Sequence, residues 1–351
     1  MSDLLVLSLG TTHGLRVADS MLIAMLREAG ASVDAFSVKI GATDRLRRGY
    51  PVNDLVEAIA SRRAVNAALE KQPCPRAVLF STTTAALLAP PIRVPYAVRL
   101  DSPAALNRRG VLNAPVRVLE RRSLAGARLL IPLGAAGAAA IPPGSAATEV
   151  VPVPIEPSGD VDGVRDTDLA VAYTPDPKAK GLARLCAAWA QVADDARRLE
   201  VFGITNEAAL AFLARRKMPQ PPPSITFRGF VSIEDFRATL RRAQCFVSAA
   251  RWEDYGQAPL EALRDGALLV TAPSDGPYEA LAIARDLDPR MVAQDLEAFS
   301  LAAAISAAFE RDDPARTAYR QRAAARLEPY RWQHAVTALR TRVLPALLGD
   351  V

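Results

Sequence analysis

The feature that most constrains this chain is an alternation of short apolar runs with segments of helical period, kept up almost from end to end. Apolar runs fall at 4–9, 31–37, 77–81, 96–100 and 129–133, and again at 169–173, 199–202, 224–227, 245–248 and 268–271. Between them lie helical stretches at 17–30, 54–69 and 116–127, then at 182–193, 207–215, 233–242, 259–265 and 277–285. Short apolar runs separated by amphipathic helices form parallel strands with helices on both faces, so each half predicts a doubly wound α/β sheet. At 351 residues the chain is long for one core and suits two domains. The Pro- and Gly-dense stretches 141–145 and 151–159 mark a linker between them. The expected division is 1–155, 156–330 and a last helix within 331–351, preceded by helices at 296–310 and 314–326.

Several function classes are excluded at this level. No apolar run reaches the roughly 18 residues of a spanning helix; the nearest, 129–142, contains Pro132 and follows Arg128. The amino end lacks the basic start and cleavage site of a signal peptide and reads as a buried strand. Cys74, Cys186 and Cys245 are odd in number and lack metal-ligand spacing, and with only His13 and His334 to add, the expectation is a reduced, cytoplasmic protein without a zinc site. The first glycine loop, 10–14, faces the start of a helix, but the spacing of the dinucleotide fingerprint is absent, so a nicotinamide enzyme is not expected. The D-x-D strings at 160–162, 166–168 and 286–288 read as loop polarity rather than as a metal-bound diphosphate site.

The net charge of +5 is unevenly spread: residues 1–155 hold 18 basic against 11 acidic side chains, with arginine pairs at 47–48, 62–63, 108–109 and 121–122. One reading is solvated helix faces in a chain that uses 38 arginines and five lysines. The other is that the amino-terminal half meets an anionic acceptor or an anionic membrane surface. Nucleic acid is not expected, because aromatics make up only 6% of the chain and no recognition motif accompanies the arginines.

One stretch carries the strongest chemical signal. The apolar run 245–248 leads into a polar loop with Glu253, and the chain passes through Gly256 into a helix that presents Glu261 early. A loop between a strand's carboxyl end and a helix start is where open parallel sheets bind ligands, and the helix amino end favours anions.

In this setting the second half resembles the carboxyl-terminal domain of retaining glycosyltransferases of the two-Rossmann-domain GT-B type, group 1 or family 4. The resemblance rests on Phe227-Arg-Gly-Phe-Val231 with Ile233-Glu-Asp-Phe236, on Glu253 and Glu261 with Gly256 between them, on 266–271, and on Asp275-Gly276 with Glu279. A weaker match is Lys178-Ala-Lys-Gly181. The resemblance implies two Rossmann-like domains facing across a cleft, with the last helix crossing back to the first. It also implies transfer of a sugar from a nucleotide-diphosphate donor to a saccharide, lipid-linked or small-molecule acceptor, with retention and without metal or other cofactor. Glu261 is then expected on the ribose hydroxyls and Glu253 on the sugar. Backbone N–H groups at Gly256, Gln257 and Ala258 would meet sugar or diphosphate, and Gly229, Phe230 and Val231 the base. Lys180 would face the leaving diphosphate.

Two departures stand out. The family's arginine before the lysine is absent, which leaves Lys178 as its substitute, and a histidine expected near residue 101 is replaced, leaving Asp101 or Arg99. His13, in the first glycine loop, is a further candidate, to orient the acceptor or the diphosphate. An epimerase or phosphorylase on the same fold, or a degenerate partner subunit, are the competing readings.

Overall fold

The computed structural model describes residues 2–10, 13–38, 49–71, 73–160 and 163–349, without the His13 side chain. Thr11 and Thr12 of the first glycine loop, the pair Arg47 and Arg48, and Asp162 lie outside the described residues. The chain divides into two compact units, Met1–Pro154 with Tyr330–Val351, and Ile155–Pro329.

The first unit holds strands β1 (Leu4–Ser8), β2 (Val33–Ser37), β3 (Ala77–Phe80), β4 (Tyr96–Leu100) and β5 (Leu129–Pro132). All pair in parallel in the order β2-β1-β3-β4-β5. Successive side chains of a strand face opposite ways, so β1 feeds two cores. Leu4 and Val6 pack with Leu22, Met25 and Leu26 of helix His13–Glu28. Leu5 and Leu7 pack on the other face with Val65 and Leu69 of helix Val52–Leu69 and Leu124 of helix Ala114–Gly126. The returning tail adds Val336, Leu339, Val343 and Leu347 to the first of these cores, each burial contributing about 1.5–3 kcal/mol. Trp332 Nε1 donates to Glu28 Oε2 at 2.6 Å, and Arg342 pairs with Glu149 at 2.9 Å.

The tail is not the single helix expected over 332–348. It runs as Trp332–Ala338, a π turn at Leu339–Val343, and Leu344–Leu348. Pro345 has no N–H to bond the carbonyl of Thr341, and the wider turn absorbs that missing bond.

The second unit holds β6 (Asp166–Tyr173), β7 (Arg198–Phe202), β8 (Ile225–Gly229), β9 (Ala243–Ser248) and β10 (Leu268–Thr271). Their order, β10-β9-β6-β7-β8, is again fully parallel. The first strand of this unit is central, and strand order reverses between β6 and β9. Trp189 of helix Leu182–Val192 is fully buried and meets Phe309 of helix Ala298–Phe309 edge-on at 6.1 Å.

Two of the D-x-D strings differ from the loop reading. Asp166 begins β6 and pairs with Arg198 at 2.5 Å. Asp288 is buried, pairs with Arg311 and caps the turn Pro289–Met291. Both are tied to cations brought near by the fold, which local spacing does not reveal. No described helix is long and apolar enough to cross a membrane.

Candidate active site

In an open parallel sheet the crevice outside the carboxyl ends of the strands, where strand order reverses, is the ligand site. In the second unit that crevice lies between β6 and β9, and each strand sends one candidate residue into it.

After β6 the chain turns tightly. The Asp176 carboxylate accepts the N–H groups of Lys178 and Ala179, both at 2.9 Å, and the Asp176 carbonyl accepts from Lys180 N. Gly181 then takes a left-handed φ of +71° at the head of helix Leu182–Val192. A Cβ on Gly181 would run into the carbonyl oxygen of Ala249, just past β9. The loop therefore lies directly on the β9 end, and Lys180 Nζ reaches Glu253 Oε2 at 2.7 Å. Lys178 is exposed and forms no ion pair among the described residues. The structure brings Lys180 to Glu253 and leaves Lys178 outside that contact.

Glu253 is buried, at 6% exposure. Its backbone is pinned by Gly276, where a Cβ would collide with the Glu253 carbonyl oxygen. Burial raises the Glu253 pKa, Lys180 pulls it down, and Asp254 adds a smaller upward push. The buried Tyr278 hydroxyl lies 3.2 Å from Thr271 Oγ1, and its own pKa is raised by burial and by Glu253.

Gly256 adopts a left-handed φ of +81° and heads helix Gln257–Arg264, pressed so closely on the Tyr278 ring that a Cβ would collide. Pro259 lacks an N–H, so the first turn of the helix offers donors at Gln257 and Ala258. One turn on, Glu261 is buried and accepts from Gln257 Nε2 at 2.9 Å. Burial raises its pKa, and Arg237, with Nη1 at 3.9 Å, opposes that rise most strongly. Burial and Glu261 together also push the Tyr173 hydroxyl up.

Arg237 is the group that sequence reading missed. It grips the fully buried Asp265 with two guanidinium nitrogens and donates to the Glu156 carbonyl at 2.8 Å. The available signal is an arginine on the buried face of helix Ile233–Arg242, among Phe236 and Leu240, with Asp265 one turn beyond Glu261. Two hydroxyls at this edge, Thr174 Oγ1 and Ser274 Oγ, are buried without a hydrogen-bond partner among the described residues. Such groups are costly unless a polar ligand meets them.

Farther along the same edge, Gly229 ends β8 with φ +71° and its carbonyl accepts from Gly203 N, beyond β7, at 2.7 Å. Phe230 and Val231 follow with 74% and 42% of their surface exposed, an apolar platform on the outermost strand. Strand spacing puts it about 14 Å from the β9 end.

Of the remaining candidates, His13 begins the first helix. Asp101, past β4, is exposed, and its Oδ1 accepts the Ser102 N–H at 2.7 Å. Arg99 is buried, 3.6 Å from the buried Asp19, whose other oxygen accepts from Ser8. Burial raises the Asp19 pKa, while Ser8, Arg99 and Ser81 lower it. These four residues belong to the first unit and gather at the switch point between β1 and β3.

Comparison with known proteins bears on this geometry. Residues 169–311, which contain Lys180, Glu253 and Glu261, match the family model described as Glycosyl transferases group 1. That match covers most of the second unit, which is similar to a group 1 glycosyltransferase domain.

Among solved structures, the chain is similar to sucrose-phosphate synthase from Thermosynechococcus elongatus, at 15% identity and TM-score 0.71 over 97% of both chains. It is also similar to the trehalose-6-phosphate synthase OtsA, at 12% identity and TM-score 0.70 over the whole of both chains. A third is the UDP-forming α,α-trehalose-phosphate synthase from Burkholderia xenovorans in complex with glucose-6-phosphate. That match has 11% identity and TM-score 0.68, over 97% of this chain and 99% of that one. At such identities the likeness establishes the GT-B fold alone. No curated protein sequence matches the chain.

Proposed function

We propose that this chain is a glycosyltransferase that takes a nucleoside-diphosphate sugar as donor and transfers its sugar, with retention and without metal, to a hydroxyl of a saccharide or lipid-linked acceptor. The observation that carries this reading is the contact of Lys180 with Glu253 across the β6/β9 crevice.

The donor lies along the carboxyl edge. Its base rests on Phe230 and Val231, and its ribose hydroxyls donate to Glu261, displacing the Gln257 amide. Arg237, locked by Asp265, opposes the burial-driven rise of the Glu261 pKa and so favours the carboxylate, whose two oxygens both accept. The diphosphate meets Lys180 and the N–H groups of Gln257 and Ala258. Glu253 accepts a hydrogen bond from a sugar hydroxyl beside the reacting carbon. As the bond from that carbon to the diphosphate oxygen breaks, negative charge grows on the phosphate, and Lys180 stabilises it without a metal ion. The acceptor oxygen forms its bond to the same carbon on the same face, and its proton passes to the departing phosphate oxygen. Glu253 and Glu261 act as binding and positioning groups, unlike the acid and nucleophile of a glycosidase.

A thermal-shift screen of nucleoside diphosphates and their sugar esters tests this. A ligand that binds only the native state at about a hundred times its Kd adds about 2.7 kcal/mol, several degrees of midpoint for a chain of this size. The expected result is a shift with one base and a larger one with its sugar ester. A flat response across the panel contradicts the proposal and favours the degenerate subunit.

A further inference from the structure

We propose that the turn 108–113 and the exposed face of helix Ala114–Gly126 form a docking surface for an anionic phospholipid bilayer. The surface belongs to the first unit and includes none of the residues assigned to the donor, and its argument stands without them.

Three observations carry it. First, apolar side chains are held out in water by a well-braced turn. Val111 and Leu112 are 87% and 82% exposed, and Val118, about two helical turns on, is 53% exposed. The turn is ordered by its own bonds. Arg117 Nη1 donates to the carbonyls of Arg108 and Gly110 at 2.6 and 2.8 Å, Asn113 Nδ2 donates to the Arg109 carbonyl at 2.8 Å, and Arg108 grips Asp54 at 2.7 and 3.2 Å. Gly110, with φ +88°, lets the chain reverse there.

Second, the exposed charge on this stretch of chain has one sign. From 102 to 148 the chain carries six arginines and a single acid, Glu120, which is buried. Arg109, Arg121 and Arg122 are exposed beside the apolar tip.

Third, the surroundings suit an interface between water and lipid. Tyr50 is 63% exposed and lies under the Arg108 guanidinium at 3.7 Å, an amphipathic ring of the kind that settles at headgroup level. A cavity of about 270 Å³ beside the tip is lined by Arg117 and Arg121 together with Val118, Pro142 and the acid Glu120.

A bilayer fits this combination better than other polyanions. It accepts an aliphatic tip of any outline into the acyl boundary while cations meet phosphates at the surface. Single-stranded nucleic acid is held by successive bases stacking on several aromatic rings, and this surface offers the single ring of Tyr50.

The test is flotation of the full chain with vesicles of mixed phosphatidylglycerol and phosphatidylcholine, set against phosphatidylcholine alone. The expected result is binding to the anionic vesicles only, lost at about 1 M salt, where the Debye length is about 3 Å. Each arginine near an anionic surface contributes about fivefold to partition, so Arg109→Glu, Arg121→Glu and Arg122→Glu combined weaken it by about a hundredfold or more. Val111→Asp with Leu112→Asp abolishes insertion, and the Trp emission of Leu112→Trp shifts to the blue on anionic vesicles. All these positions are exposed, so the variants keep the thermal midpoint of the parent. Absence of binding, equal binding to neutral vesicles, or binding unchanged in both charge and tip variants overturns the proposal. So does a nucleic acid or acidic protein held by the same arginines when vesicles are not.

Discussion

Both units bury glutamates at the carboxyl edges of their sheets, and the two edges treat them differently. In the second unit each buried carboxylate faces a cation: Glu253 has Lys180 at 2.7 Å, and Glu261 has Arg237 at 3.9 Å. In the first unit Glu120 accepts the Ala104 N–H at 2.7 Å and forms no ion pair among the described residues. Burial pushes the Glu120 pKa up to about 7, with Thr83, Ala104 and a more distant Arg108 pulling it down. Burial raises the pKa of Glu253 and of Glu261 as well, but there a facing cation opposes the rise and favours the form that accepts from a ligand's hydroxyls. Glu120 has no such partner among the described residues, and it ties the chain after β4 to helix Ala114–Gly126. Burial alone therefore does not mark a candidate site; the contact of Lys180 with Glu253 across the β6/β9 switch point is what distinguishes Glu253 from Glu120.

The comparison breaks most sharply at two glycines. Gly276 and Gly137 each lie against the backbone carbonyl of a candidate acid, Glu253 in one unit and Asp101 in the other. At Gly276 a Cβ has no room at all, and neither contacting atom can swing away. Gly276→Ala should cost about 4 kcal/mol or more and abolish transfer. At Gly137 the Cβ would stand 2.8 Å from the Asp101 carbonyl oxygen, a clash relieved by a small shift. Gly137→Ala should cost about 1–3 kcal/mol and leave donor binding intact. Denaturant unfolding and the donor thermal shift measure both effects, and equal losses from the two variants would erase the contrast.

Glu120 supplies the next largest effect. Its folded-state pKa is raised, so between the ordinary carboxylate range and about 7 the folded chain binds a proton that the unfolded chain has released. Stability then falls as pH rises through that window, by about 3 kcal/mol in all. Glu120→Gln keeps an acceptor for the Ala104 N–H and cannot ionise. It should match the parent near pH 5, exceed it near pH 8, and flatten the thermal midpoint between those values. A parent whose midpoint does not fall over this window would show that Glu120 has a cation partner after all.

Much of the architecture was legible because it rests on local pattern. Each apolar run that signals a strand is a strand in the sheets, and the spacing of Glu253, Gly256 and Glu261 puts one carboxylate on a loop and the other inside a helix. What stayed hidden depends on residues far apart in sequence. Arg237 and Asp265 lie 28 positions apart and meet only when two helices pack. Asp19 and Arg99 meet across a sheet edge whose strand order no local signal gives. The broken tail is a different case, since Pro345 stood in plain view but helical periodicity outweighed it.

The central claim is that the two paired carboxylates of the second unit divide the donor between them, and steady-state kinetics of Glu261→Ala and Glu253→Ala test it most directly. With the nucleotide sugar identified by the thermal-shift screen, Glu261→Ala should raise the donor KM and weaken the free nucleoside diphosphate to the same degree, because the ribose is common to both. Glu253→Ala should leave nucleoside diphosphate affinity unchanged and lower kcat by about a hundred- to a thousandfold, because its contact is with the sugar. Full activity in both variants, or loss of nucleoside diphosphate binding from Glu253→Ala alone, would contradict the account.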